Sequence, residues 1–250
     1  MKKFLSLLTA FSMCILITGC DSKKEQSDYS TPYYSSPSEV TIEKLREKTI
    51  PETMAEYKGG FRQDFDYDGF EYQLLNTAVA YNICVKQNDH LYFNSMQDYD
   101  DGYHLHVYFT DDKSDRYLYS EKSVGSERQT LTDEKLQESF KDSILGYTED
   151  LTVAITSSKE EGSMYVVEID VKDTEKNKPL TVDTITLDPQ TGFVTKIYSE
   201  PAPGSEQKNT VKSEISYSSD LKPDLTPKKS VEEQEKRAAE EEKKQQQQQK

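Results

Sequence analysis

The sequence predicts a mainly β domain of the α+β class: an antiparallel sheet of about eight or nine strands with one or two helices packed on it. Three observations lead there. Apolar residues alternate by two in one segment after another, as in Tyr103, Leu105, Val107, Phe109 and in Tyr165, Val167, Ile169, Val171, which is the side-chain period of a strand. Turn formers separate these segments, from Asp68-Gly69 and Gln87-Asn88-Asp89 to Glu161-Gly162 and Asp188-Pro189-Gln190-Thr191-Gly192, and short connections make neighbouring strands antiparallel. Within the domain, one stretch stands out for a helical repeat: Leu136, Phe140 and Ile144, four residues apart, follow a capping Thr132 and end before Gly146.

The first element is a targeting segment over residues 1–19. Lys2 and Lys3 precede an apolar run from Phe4 to Thr18 that closes on Ile17-Thr18-Gly19-Cys20, the pattern of a secretory signal with a small residue before the cut. It resembles the bacterial lipoprotein signal. That resemblance implies cleavage after Gly19 and a diacylglyceryl thioether, with further acylation such as palmitate, on Cys20. An uncleaved anchor or an ordinary secretory signal is the alternative. Two or more acyl chains give stable anchoring where one is marginal, so the expected location is the extracytoplasmic face of a cell membrane. With Cys14 removed and Cys20 lipidated, Cys84 is the remaining cysteine, and no internal disulfide can form. Cys84 sits inside the strand pattern Val79 to Val85 and reads as a packed small hydrophobe.

Residues 20–44, rich in Ser, Pro and charge around Pro32 and Pro37, read as a flexible tether. Ile42 and Leu45 begin a short helix, and Thr49 with Glu52 fits a capping box ahead of Met54 and Tyr57. The β domain then spans 45–228. Its expected faces include Val79, Tyr81, Ile83 and Val85, then Ile185 with Leu187, and Val211, Ser213, Ile215 and Tyr217. Residues 229–250 form a charged, Gln-rich tail. Ser230 and Glu233 resemble a capping box and Glu240/Lys244 is one of several i,i+4 pairs. With no apolar stripe, this tail is expected to be a solvated helix or disordered.

Charge excludes whole classes of function. The chain carries 46 acids and 31 bases, a net −15. The signal contributes +2, residues 20–44 contribute −2 and residues 229–250 nothing, so the −15 belongs to the domain. Duplex phosphates call for a basic face, so nucleic acid is not an expected partner. The single long apolar run excludes a polytopic membrane protein. No G-x-S-x-G, Walker loop, H-E-x-x-H, C-x-x-C or dinucleotide fingerprint occurs. With three histidines and one remaining thiol, the chain reads as a non-enzyme without a cofactor.

The order of parts carries a second resemblance: anchor, tether, helix, long strands, the Leu131-Thr132-Asp133-Glu134-Lys135-Leu136 helix, more strands, then Ile185-Thr186-Leu187-Asp188-Pro189-Gln190-Thr191-Gly192 and Ser213-Glu214-Ile215-Ser216-Tyr217. This layout is similar to the lipoprotein-carrier (LolA-like) half-barrel superfamily and its lipid-binding lipoprotein relatives. The resemblance implies a curved sheet closed by helices over an apolar cavity that holds acyl chains or a lipoprotein, with no catalytic motif. Asn82, Thr195 and Ser213 interrupt the apolar strand faces, which implies a small or filled cavity.

Two patterns are candidate metal sites. Asp64-x-Asp66-x-Asp68-Gly69 matches the first half of a calcium loop, but Leu75 stands where an EF-hand needs its Glu; a strand with one acidic face entering a turn explains it as well. His104-x-His106 places two imidazoles on one strand face, a spacing suited to zinc or copper. The alternative is a polar face of His104, His106 and Tyr108 turned to solvent. The functional expectation is a lipid-anchored protein whose β domain binds a hydrophobic ligand or a lipoprotein partner. The alternative is an envelope interaction protein or sensor with a solid β core.

Overall fold

A computed structural model of the chain describes residues 31–68, 77–99, 102–141 and 144–248. The signal, Cys20 and the first part of the tether lie outside the described residues.

The chain enters the fold earlier than the 45–228 span expected for the domain. Tyr33 and Tyr34 donate their backbone N–H groups to the carbonyls of Gln190 and Pro189 at 3.1 and 3.0 Å, and the Tyr34 ring is buried. The receiving turn is the Asp188–Gly192 segment, closed by Thr191 Oγ1 and the Gln190 N–H, both donating to the Asp188 carboxylate at 2.9 Å. Gly192 has φ +78°, and a Cβ there would stand 2.5 Å from the Tyr33 ring. Gly192→Ala is therefore expected to strain the turn and push Tyr33 out, costing about 1–3 kcal/mol. Thermal melting and faster amide exchange at Tyr33 and Tyr34 would register it.

A short 3₁₀ turn, Pro37–Glu39, leads into two helices, α1 (Ile42–Lys48) and α2 (Pro51–Glu56). Thr41 caps α1 by accepting from the Lys44 N–H. The expected capping box at Thr49 and Glu52 does not form: Thr49 ends α1 and donates its hydroxyl to the Leu45 carbonyl at 2.8 Å. Pro51 takes the first position of α2 instead, where its missing N–H costs nothing.

The sheet has eleven strands rather than eight or nine, in one open, curved antiparallel layer. In chain order they are β1 (Gly60–Asp68), β2 (Thr77–Gln87), β3 (His90–Tyr99), β4 (His104–Thr110), β5 (Tyr117–Lys122), β6 (Gly125–Thr130), β7 (Leu151–Glu161), β8 (Met164–Asp173), β9 (Lys178–Leu187), β10 (Val194–Pro201) and β11 (Thr210–Tyr217). Their spatial order is β6-β5-β4-β3-β2-β1-β11-β10-β9-β8-β7. Two meanders are thus sewn together where β1 pairs with β11, from Phe61 opposite Tyr217 to Asp68 opposite Thr210. The undercount has a physical source. β6 reads GSERQT, with no apolar side chain, and is an edge strand exposed along nearly all its length; periodicity cannot reveal a strand that buries nothing. Helix α3 (Asp133–Lys141) connects the two meanders, with the Lys135 N–H donating to the Thr132 hydroxyl at its cap.

Helices α1, α2 and α3 lie on one face of the sheet, here the inner face. The core beneath them includes Leu45, Met54, Phe61, Val167, Ile169, Ile185 and Leu187, all fully buried. Phe109, Leu131 and Leu136 extend it under α3, where Phe109 and Phe140 stand 5.0 Å apart.

One end of the outer face is covered as well, which the sequence reading excluded. A helix α4 (Thr226–Gln248) docks on β4, β5 and β6 through Val231, 2% exposed, against Tyr108 and Tyr119. Tyr108 is therefore buried rather than solvent-facing. The Ser230 hydroxyl donates to Glu121 at 2.9 Å instead of capping a helix; the helix starts earlier, after Asp224, whose carboxylate accepts from the Thr226 N–H. No helix among the described residues is long and apolar enough to cross a membrane.

Candidate functional site

Residues directly opposite one another in a sheet share a face, so register shows what the inner face presents. Helices cover one end of it. Toward the other end the central strands are half-covered. One row runs Ser95–Asn82–Gln63–Ile215; the next runs Gln97–Ala80–Phe65–Ser213–Ile197; a third runs Tyr67–Val211–Ser199–Asp183–Ile169. Phe65, Tyr67, Asn82, Ser95, Gln97, Ile197, Ser199 and Val211 are all half-buried. The result is a strip with an aromatic and aliphatic middle and neutral polar groups along it. Phe65 and Tyr67 stack at 5.7 Å. Gln63 Nε2 donates to Ser213 Oγ at 3.1 Å in the buried part of the strip. Burial, and next the nearby Tyr99 phenol, raise the Tyr67 hydroxyl above its ordinary range.

Asn82 and Ser213, which interrupt the apolar pattern in sequence, are thus brought to the same face on either side of β1. Gln63 and Asp183 belong to the same polar set and were missed. Their signal is legible in hindsight: Asp183 sits in phase with Ile185 and Leu187, and an acid in the apolar phase of a strand has to find a buried partner. Asp183 is 6% exposed, and Tyr147 donates its hydroxyl to Asp183 Oδ2 at 2.8 Å. Burial first, and then the Asp183 carboxylate, hold the Tyr147 phenol far above its ordinary range. Arg46 of α1 donates to the Tyr147 carbonyl at 3.1 Å.

The two candidate metal sets do not meet. His104 and His106 stand side by side on β4, ring centroids 4.8 Å apart. His106 Nε2 lies 2.7 Å from Asp98 Oδ1, and His104 Nδ1 lies 3.1 Å from Ser123 Oγ. Asp64, Asp66 and Asp68 lie on the outer face of β1, with β2 and β3 in between. Arg62 grips Asp64 through two nitrogens at 2.6 and 2.9 Å, and Lys212 comes within 3.9 Å of Asp66. Among the described residues, no three His, Cys, Asp or Glu side chains converge as a metal site.

Cys84 lies fully buried in the inner core. Burial above all, with Asp111 and Glu52 nearby, pushes its thiol up to about 12. Two results follow. Alkylation by iodoacetamide at mild alkaline pH should be negligible in the folded protein and rapid after unfolding, because the thiolate is the nucleophile. Above the ordinary thiol value of 9.0 the unfolded chain releases this proton before the folded chain does, so stability should fall as pH rises from there toward about 12. Cys84→Ala should flatten that slope in urea titrations at successive pH values.

A pocket of 220 Å³ opens elsewhere, among Asp170, Lys172, Pro179, Val182 and Pro203. Ligand pockets usually hold about 300–1,000 Å³, so the inner strip, with its aromatic middle, is the stronger candidate.

Neither a family model nor a curated protein matches the sequence. Similar solved structures include the lipoprotein LppX of Mycobacterium tuberculosis, 8% identical with a TM-score of 0.41 over 74% of this chain and 100% of that one. LprF of Mycobacterium bovis is 6% identical, TM-score 0.41, over 77% and 99%. A LolA superfamily protein of Nitrosomonas europaea is 9% identical, TM-score 0.26, over 72% and 93%.

Proposed function

We propose that this chain is an extracytoplasmic lipoprotein, held to a cell membrane by acyl chains on Cys20, whose sheet takes a hydrophobic ligand on the half-covered inner strip. The strip is the observation that carries this reading. Phe65, Tyr67, Ile197 and Val211 offer apolar area beside Asn82, Ser95, Gln97 and Ser199, and all of them are half-buried. Ligand sites combine apolar walls with a few polar groups in this way. The signal ending in Gly19-Cys20 supports the anchor.

A second reading has its own observation. The other half of the inner face is packed solid by Leu45, Met54, Phe61, Ile169, Ile185 and Leu187, each 0% exposed. A filled core favours a scaffold or sensor that meets an envelope protein through its acidic surface. One pair of measurements tests both. Metabolic labelling with a palmitate analogue should mark the wild type and not Cys20→Ala, which should leave the membrane fraction. Mass spectrometry of residues 21–250, after organic extraction, should release a bound lipid. A folded domain that carries no lipid and binds no acyl probe would overturn the ligand reading in favour of the second.

A further inference from the structure

Asp183 is a buried carboxylate with one of its two oxygens unpaired. Oδ2 accepts from Tyr147, while Oδ1 is buried without a partner, and so is Arg46 Nε on the other side of the Tyr147 contact. Buried polar atoms are almost always paired, and one left unpaired costs a large part of its hydration. Register places Asp183 on the inner face between Ile169 and Ser199, in the row that continues through Val211 to Tyr67. Three strand spacings separate Asp183 from Tyr67, about 14 Å.

We propose that Asp183 is the headgroup contact of the inner strip, and that the strip takes an amphiphile with a neutral hydroxylated headgroup: a hydroxyl donates to Asp183 Oδ1 while the chain lies along Val211, Phe65 and Tyr67. This rests on the ligand reading of the strip. A carboxylate oxygen accepts hydrogen bonds, so the group that completes Oδ1 is a donor. The half-buried polar side chains along the rows, Asn82, Ser95, Gln97 and Ser199, are neutral and suit further hydroxyls. An anionic headgroup placed on Oδ1 would set like charges side by side, while Arg46 directs its Nη2 at the Tyr147 carbonyl and not at Asp183. A single buried water on Oδ1 is the competing explanation.

Calorimetric titration of residues 21–250, which contain every described residue, with decyl glucoside and with decyl phosphate separates these cases, because the two probes share a chain and differ in headgroup. The expected result is binding of the glucoside at least about tenfold tighter than the phosphate, as a hydrogen bond to a charged group would give. Asp183→Asn keeps the size and the Tyr147 contact, and should reduce glucoside affinity about tenfold without weakening the phosphate. Equal affinity of the wild type for both probes, or unchanged glucoside binding by a folded Asp183→Asn, would overturn the inference and leave the water explanation. Binding of neither probe would overturn the ligand reading itself. The wild-type comparison decides even where the variant fails to fold.

Discussion

Phe61→Ala is expected to lower the unfolding free energy by about 3–5 kcal/mol, the usual cost of deleting a fully buried ring. Phe61 is 0% exposed and stands on β1 where the two meanders join, opposite Cys84 on one side and Tyr217 on the other. Tyr217, Phe193 and Tyr57 form an aromatic cluster around the same point, with centroids 4.6 to 5.4 Å apart. A cavity there loosens the β1–β11 seam and the seating of α2 together. Domains of this kind are stable by only about 5–15 kcal/mol, so the loss is a large share of the whole. Urea titration followed by circular dichroism measures it. A change below about 1 kcal/mol would mean that the seam is not held by this ring.

The second large effect is expected at Asn94, a polar residue that is 0% exposed on the outer face. Its side chain imitates a neighbouring strand. Nδ2 donates to the Asp224 carbonyl at 2.7 Å, and the Asp224 N–H donates to Oδ1 at 2.8 Å. This pair pins the segment that delivers α4. Asn94→Ala leaves both backbone groups of Asp224 unpaired, and should cost about 2–4 kcal/mol. It should also free α4, whose remaining hold is Val231 and a few polar links, among them Lys228 to Asp115 at 2.7 Å and Gln234 to the Ser126 N–H at 3.0 Å. Hydrogen exchange should then rise across Thr226–Val231 while β7–β9 keep their protection. Unchanged exchange there would show that the helix is held by its other contacts.

Much of the fold is legible before any coordinates. Strands β4 and β8 follow the alternation of their apolar residues, and the turn at Asp188–Gly192 follows its Asp, Pro and Gly. Helix α3 starts at Thr132 as its capping pattern implies. The failures are equally specific. Residues 33–40 look like tether because Ser and Pro dominate, yet Tyr34 and Val40 are buried; two aromatic side chains and a strand turn outweigh a loop-like composition. The tail looks unable to dock because it has no apolar stripe, and it docks through Val231 and side-chain hydrogen bonds onto a patch of tyrosines. The expected apolar face of β2 holds Ile83 and Val85, both buried, but it is the outer face, opposite Asn94 and Tyr92 of β3, while Cys84 on the opposite face joins the main core.

Local chemistry in the sequence by itself determined the class of the fold, the antiparallel order within each meander, the burial of Cys84 and the acidity of the domain. Those properties depend on neighbours a few residues apart, where period, turn residues and charge act directly. Tertiary structure alone decided the β1–β11 seam, the docking of α4 on the outer face of β4–β6 and the composition of the inner strip. Gln63 and Ser213 share a hydrogen bond across 150 residues of chain, and Asp183 meets Tyr147 across 36. Such pairings are set by how the whole sheet closes its hydrogen bonds and buries its surface, which no local period encodes.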